Sequence, residues 1–393
     1  MAKINYIDLF SGAGGLSLGL HNSGYSGIFA IEKNKDAFET LKHNLIDNKN
    51  HFHWPDWLEI SEHDIDEILT THKKNLENLQ GTIDLIVGGP PCQGFSMAGK
   101  RNASDQRNTL VNSYLQFVDI VKPNYIFLEN VHGFSVKFDK NGHSESFASI
   151  VQKKLKNLGY YTISKEVSIN EYGVPQKRKR YILIGSRKDN VNNFFDRLAV
   201  NSVSFLENLG LNKTVTISEA ISDLAYKNGI LINDKSRFKF GKYGKIESAY
   251  QSYMRSGCSI PDSHRFANQS DNIVDMQKEI ISLAMFGKRI SPKNGLIKDL
   301  KRRGVTLLDP QGLSPTVTSH PDELVHYCEP RILTVREMAR LQSFPDSYLF
   351  KGKFTTGGQL RKIDVPRYTQ VANAIPPLFA EQIGLTLKEY ING

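Results

Sequence analysis

Cys92 stands in the run GGPPCQGFS, Gly88–Ser96, directly after the apolar stretch Ile83–Val87. Two prolines stiffen the loop ahead of it and Gly94 follows, a placement that suits a presented thiol nucleophile. A structural turn cysteine fits the same local pattern. Glu129 opens the run ENV, Glu129–Val131, after the apolar Tyr125–Leu128. It reads either as a solvated strand-end carboxylate or as a group that places a proton on a substrate held beside the nucleophile. The run QKRKR, Gln176–Arg180, offers guanidinium groups to phosphate, base or carboxylate, or is a solvated charge run.

A second set points to a cofactor. In FSGAGG, Phe10–Gly15, the residues Gly12, Gly14 and Gly15 allow a tight turn and close approach of a ligand. Glu32, at the end of the next apolar stretch, can accept hydrogen bonds from ribose hydroxyls. Together they suggest an adenosine-containing cofactor, although neither the dinucleotide GxGxxG pattern nor a phosphate-binding lysine of the P-loop kind is present. Asn373, in YTQVANAIPP, Tyr368–Pro377, precedes the last helix. It is either a helix cap or a group that returns to the cofactor pocket.

These residues need elements to hold them. Short apolar runs at Ile4–Phe10, Gly27–Ile31, Ile83–Val87, Tyr125–Leu128 and Arg180–Gly185 read as strands. Helices are expected near 35–46, 62–79, 107–121 and 145–158. That alternation predicts a mostly parallel sheet wrapped by helices, with ligands outside the carboxyl ends of the strands. From about 190 to 325 the chain turns irregular. Basic clusters (Lys235–Arg237–Lys239, Lys242–Lys245, Lys301–Arg302–Arg303) are interleaved with Phe238, Tyr243, Tyr250, Tyr253 and Phe266. Regularity returns at Leu333, where Thr334 and Glu337 form a capping box ahead of an apolar face. A final helix is expected over roughly Leu378–Tyr390.

Composition narrows the class. The chain has 393 residues, enough for a large domain and a smaller one, with 39% hydrophobic residues and a net charge of +9. The basic excess fits a polyanion partner, though many enzymes share it. There is no apolar run long enough to span a membrane and no secretory signal pattern, so a cytoplasmic location is expected. Three scattered cysteines and the histidine spacing predict neither a disulfide framework nor a metal site.

In order and spacing, PPCQGFS, ENV, QxRxR and the run PRILTVREMARLQSFPD resemble the DNA cytosine-5 methyltransferases of bacterial restriction–modification systems, over nearly the whole chain. The resemblance implies an α/β fold with a Rossmann-like, mostly parallel sheet that binds S-adenosyl-L-methionine, plus a smaller irregular target-recognition domain. It divides the chain into a catalytic and cofactor-binding domain (1–187), a target-recognition domain (188–325) and a C-terminal segment (326–393) that returns to complete the catalytic domain. By the same resemblance, Phe10 packs on the adenine, Ser11, Gly12, Gly14 and Gly15 shape the pocket, and Glu32 binds the ribose. Asp64 lies near the adenine amine, with Asp56 and Asp66 as competitors. Pro91 and Cys92 are the proline–cysteine pair, Glu129 the carboxylate on the cytosine edge, and Arg178 and Arg180 the paired arginines. Asn373 belongs to a dipeptide that usually begins with glycine, where this chain has Ala372; a small backbone adjustment is expected there.

The implied chemistry is addition of the Cys92 thiolate to carbon 6 of a cytosine, which makes carbon 5 nucleophilic toward a methyl group. The base must be flipped out of duplex DNA, with the loop Ser96–Thr109, carrying Lys100, Arg101 and Arg107, as a candidate lid. The stretches Val305–Leu307 and Gly312–His320 fall near the recognition-domain boundary. Double-stranded DNA is the expected partner, a separate restriction endonuclease the expected companion, and a monomer the expected state. A tRNA cytosine-5 methyltransferase and an inactive DNA-binding homologue are the competing readings.

Overall fold

The computed structural model describes residues 3–91, 109–136, 145–232, 238–297, 304–355 and 364–393. The chain forms two compact units. The first comprises Met1–Ile169, Lys179–Val203 and Ala380–Gly393, and the second Asn170–Arg178 and Ser204–Phe379. These units follow boundaries other than 187 and 325. Only the last part of the C-terminal segment joins the first unit, where the Tyr25 hydroxyl donates to the Gly384 carbonyl at 2.9 Å and the Tyr125 hydroxyl to the Tyr390 carbonyl at 2.6 Å.

The first unit is built on a six-stranded sheet of β1 (Asn5–Leu9), β2 (Ser26–Ile31), β3 (Leu85–Gly88), β4 (Tyr125–Val131), β5 (Tyr161–Ser168) and β6 (Lys179–Ser186). The strand order is β2-β1-β3-β4-β6-β5. The first four in that order are parallel, and β6 and β5 run antiparallel. The mostly parallel expectation holds, with one correction: the run at 180–185 belongs to an antiparallel pair. Its partner β5 was not legible because YTISKEVS alternates weakly and only Val167 is buried.

Helices cover the sheet: α1 (Gly15–Asn22), α2 (Lys35–Leu41), α3 (Ile65–Thr71), α4 (Lys73–Glu77), α5 (Thr109–Val121) and α6 (Phe147–Asn157). The central strands are buried on both faces, as near-continuous apolar runs require. Ile7, Leu9, Phe29, Ile86, Phe117 and Ile126 belong to one core.

Lateral register fixes where the chemistry can lie. Leu9 pairs with Ile31 on one side and Gly88 on the other, and Gly88 pairs with Leu128. The next residues along each strand, Phe10, Glu32, Gly89 and Glu129, therefore line one edge of the sheet. Strand β1 is connected to β2 on one side while β3 begins the other, so this edge carries the topological switch point where α/β folds open a crevice.

Helix α7 (Phe194–Asn208) lies where irregular chain was expected, and runs from the first unit into the second. The second unit continues with α8 (Ile217–Ile221), β7 (Ile230–Ile232), β8 (Lys239–Gly241), α9 (Ala249–Arg255), α10 (Asp271–Ser282), β9 (Arg289–Ile290), β10 (Val305–Leu307), β11 (Leu324–Val325), α11 (Val335–Leu341) and α12 (Arg367–Asn373). Helix α13 (Pro377–Asn392) ends the chain, again crossing between the units. Val305–Leu307 is the middle strand of a three-stranded sheet over a small core of Ile280, Ile290, Ile297 and Val325.

The capping box at Thr334–Glu337 forms as expected. All seven residues of α11 are buried, including Arg336, Glu337 and Arg340. Buried charge demands partners. The Arg340 guanidinium donates to both oxygens of Asp346 at 2.7 Å and to Asp223 at 3.1 and 3.2 Å, and Arg331 donates to both oxygens of Glu337 at 2.7 and 2.8 Å.

This buried network gives the second unit a marked pH response. Burial foremost lowers His264 to about 4 and His326 to about 3. Burial works upward on Glu337, but the adjoining Arg331 overrides it and holds the carboxyl down at about 2. All three groups bind protons more readily in the unfolded chain, near 6.5 for histidine and 4.3 for glutamate. Stability is therefore full above about pH 6.5 and falls as pH drops, by up to about 1.4 kcal/mol per pH unit for each histidine. Urea titrations at pH 7.5 and 5 should show a lower midpoint at pH 5. Equal midpoints would contradict buried neutral histidines.

Candidate active site

Glu129 projects from the end of β4, opposite Ile182 of β6, and Arg180 is opposite Val131. Two residues apart on the same face, Glu129 and Arg180 are diagonal neighbours within reach of long side chains. They form an ion pair with Arg180 Nε 2.6 Å from Glu129 Oε1, both side chains about one-seventh exposed. The Arg180 Nη1 donates to its neighbour's carbonyl, Lys179 O, at 2.8 Å. The carboxylate is thus paired with a cation and still partly open at the strand edge.

The segment leading to Cys92 passes directly over it. A Cβ added to Gly89 would lie 3.0 Å from Glu129 Oε2, so this position has little room for a side chain. Pro90 is buried and its carbonyl accepts from Asn130 Nδ2 at 3.1 Å. Both polar residues of the ENV run therefore serve the same loop: Glu129 faces Gly89, and Asn130 holds Pro90. Pro91 follows, exposed. Cys92 itself, and the lid candidates Lys100, Arg101 and Arg107, lie outside the described residues.

The QKRKR run divides by strand periodicity, with Gln176 and Arg178 buried and Lys177 and Lys179 exposed. In the second unit, Gln176 donates to the Leu341 carbonyl at 3.1 Å and accepts from Val317 N–H at 2.9 Å, tying down the Gly312–His320 stretch. Arg178, placed by sequence among the catalytic groups, donates to the carbonyls of Ala372 at 3.0 Å and Ala374 at 3.4 Å. It holds the backbone on both sides of Asn373. Asn373 is the exposed last residue of α12. Ala372 sits in ordinary helical backbone with no positive φ, so the methyl that replaces the usual glycine is accommodated.

At the other end of the row, the Phe10–Gly15 loop is strained. Phe10 has φ of 60°, rare for a bulky side chain, and Gly12 and Gly14 have φ of 55° and 81°. Phe10 remains partly exposed while packing on the core. Gly14 caps α1 in the left-handed conformation, and Gly15 begins the helix. Glu32 pins the loop: its Oε2 accepts from Gly12 N–H at 2.9 Å and its Oε1 from Asn34 N–H at 2.7 Å. Burial raises the Glu32 carboxyl despite those amides.

Sequence reasoning missed Asp8, fully buried beside this loop, where it accepts from the Ser17 hydroxyl at 2.5 Å. Burial foremost raises it to about 7. Its only sequence signal is a charge inside an apolar strand.

Of the three acidic competitors, Asp64 is nearest this end of the row, since His63 N–H donates to the Glu32 carbonyl at 2.8 Å. Asp64 caps α3 and pairs with Lys33, which with the Asp66 amide outweighs burial and lowers its carboxyl. Asp66 instead accepts from Ser113 at 2.5 Å, and Asp56 lies in an exposed turn.

These residues fit an adenosine-bearing group. The Ser11 hydroxyl is buried with no hydrogen-bond partner among the described residues, and a Cβ on Gly12 would meet nothing within 4 Å. A buried donor without a partner is rare unless a ligand supplies one.

Comparison with known proteins points the same way. Residues 4–389 match the family model for C-5 cytosine-specific DNA methylases. The chain is 30% identical to the type II methyltransferase M.DdeI of Desulfomicrobium norvegicum over 98% of its own length and 89% of the relative's. It is 32% identical to M.PspPI of Psychrobacter, covering 98% and 79%. An E. coli prophage-encoded protein described as a DNA modification methyltransferase superposes with a TM-score of 0.69 over all of both chains at 24% identity. The S. pombe Dnmt2 methyltransferase superposes with a TM-score of 0.56 over 99% of each at 18%. At these identities the two structures speak to the fold alone.

Proposed function

Because the chain belongs to the C-5 cytosine-specific DNA methylase family, and is thereby an S-adenosylmethionine-dependent DNA cytosine-5 methyltransferase, we propose that the edge from Phe10 to Glu129 is its active site and that it methylates one short duplex word. The observation that carries the assignment is the Glu129–Arg180 pair lying beneath Gly89–Pro90, one strand from the cofactor loop.

Carbon 5 of cytosine is a weak nucleophile, and the site must enrich it with electrons. The Cys92 thiolate adds to carbon 6 and carries that density into the ring. Glu129 in its protonated form engages the base, donating to N3 and accepting from the amino group. Its proton passes to N3 as the adduct forms, and Arg180 stands beside the carboxylate that results. S-adenosylmethionine supplies an electrophilic methyl group at this edge. Water takes the proton from carbon 5, and the electron pair left behind forms the carbon 5–carbon 6 double bond as the carbon 6–sulfur bond breaks. Cys92 leaves as a thiolate, and the N3 proton returns to Glu129. Phe10, Ser11, Glu32 and Asp64 hold the adenosine part, while Arg178 acts as a positioning residue for the Asn373 turn.

Asn130 is a positioning residue for the nucleophile's loop. Asn130→Ala should lower kcat by about 10- to 100-fold with KM for the cofactor little changed, since a displacement near 1 Å at the reacting atoms has costs of that order. A KM effect alone would contradict this role.

The names of the type II relatives support a restriction–modification role; a separate endonuclease as companion, a monomeric enzyme and a cytoplasmic location are part of the same proposal. Among the described residues no helix is long and apolar enough to cross a membrane. The test is transfer of labelled methyl from S-adenosylmethionine to duplex DNA, with tRNA in parallel. Label at carbon 5 within one DNA word is expected. Label in tRNA alone would overturn the substrate.

A further inference from the structure

Arg265 lies in the second unit on the short extended stretch His264–Phe266, just after a turn at Ser263, and this stretch is held from two sides. Its backbone bridges Phe240; Gly241 N–H donates to the His264 carbonyl and Phe266 N–H to the Lys239 carbonyl, both at 2.9 Å. On the other side, His264 Nδ1 is 2.8 Å from Thr334 Oγ1, and Arg336 Nε donates to the Asp262 carbonyl at 2.8 Å. His264 and Phe266 are buried, so the period-two alternation turns Arg265 outward.

There its guanidinium carbon sits 3.9 Å from the ring centroid of Phe238 and 3.6 Å from that of Phe354. Two rings this close to one planar group must take opposite faces. Arg367 braces the clamp. It lies 4.3 Å from the Phe354 centroid, and it donates to the Gly352 carbonyl and the Ser263 hydroxyl, each at 3.0 Å.

Every other described arginine of this unit has a carboxylate or carbonyl partner. Arg265 has no hydrogen bond or ion pair among the described residues. Burial first, and then the Arg367 charge, disfavour its proton, so an electron-rich partner would be welcome.

A guanidinium with both faces covered and its edge free is a fork whose plane is already set, at little further entropy cost on binding. A phosphate can be met at many angles and needs no such clamp. Two acceptors side by side in one plane do, and the O6 and N7 edge of guanine in the major groove is that pair. Resting on the DNA methyltransferase reading above, we propose that Arg265, clamped between Phe238 and Phe354, reads the O6/N7 edge of a guanine in the methylated word.

The test maps methylated cytosines at single-base resolution in a duplex library of all short words, for wild type, Arg265→Lys, Arg265→Ala and Phe354→Leu. Both Arg265 variants should lose about 10- to 100-fold of discrimination at one guanine position. Lysine should rescue the discrimination only in part, because its ammonium is a point charge on a flexible stem that the two rings do not hold in plane, and Phe354→Leu should give a smaller loss at the same position. An unchanged word would overturn the proposal. So would a uniform loss over all words that lysine restores, with a salt slope lower by about one in the alanine variant, which marks a phosphate contact. Absence of DNA methylation by wild type would instead sink the methyltransferase reading, and this inference with it.

Discussion

Replacing Cys92 by alanine is expected to abolish methyl transfer, with a loss on the order of 10⁴- to 10⁶-fold in kcat. The size follows from the chemistry. Without an adduct at carbon 6, carbon 5 stays part of an aromatic ring and has no electron pair to give. The rest of the site cannot compensate, because Glu129 and Arg180 only polarise a ring that the thiolate has already opened to attack. DNA binding and cofactor binding should survive, since the thiol contributes to neither. Methyl transfer within tenfold of wild type would remove Cys92 from the mechanism.

Glu129→Gln is expected to cost about 10²- to 10⁴-fold in kcat, the usual range for a positioned acid–base group. Glutamine keeps the shape beneath Gly89, where a Cβ would already stand 3.0 Å from the carboxylate, so the loop should keep its path. It removes the charge that faces Arg180 and the capacity to hand a proton to N3. Because the two side chains form one ion pair, Arg180→Met should add little on top of Glu129→Gln. Additive losses, or an unchanged kcat with a raised KM for DNA, would show that Glu129 serves binding and not the chemical step.

Much of this site could be read from residues alone because strand ends announce themselves. Apolar runs stop at Phe10, Glu32, Gly88 and Glu129, and a parallel sheet aligns such ends by construction. What pairwise register adds was not legible: that Glu129 and Arg180 are diagonal neighbours depends on β6 running antiparallel, and β6 was expected only as another strand. Arg178 and Arg180 look alike in sequence, yet one turns to the carbonyls of Ala372 and Ala374 and the other to a carboxylate. The role of Asn130 in ENV was not legible because its partner is a backbone carbonyl, which leaves no mark on composition. In the second unit the sequence shows the capping box and apolar face of α11 but not that Arg340 is buried. Its tertiary partners Asp223 and Asp346 reveal it as core.

The covalent role of Cys92 is the central claim, and trapping the adduct tests it most directly. In a duplex with every cytosine replaced by 5-fluorocytosine, carbon 5 bears no proton to lose after methylation, so Cys92 cannot be expelled. Wild type incubated with this duplex and S-adenosylmethionine should yield a protein–DNA complex that survives denaturing electrophoresis, and Cys92→Ala should yield none. Methyl transfer to ordinary duplex by a wild-type enzyme that leaves no such complex, or an equal complex with Cys92→Ala, would contradict the account.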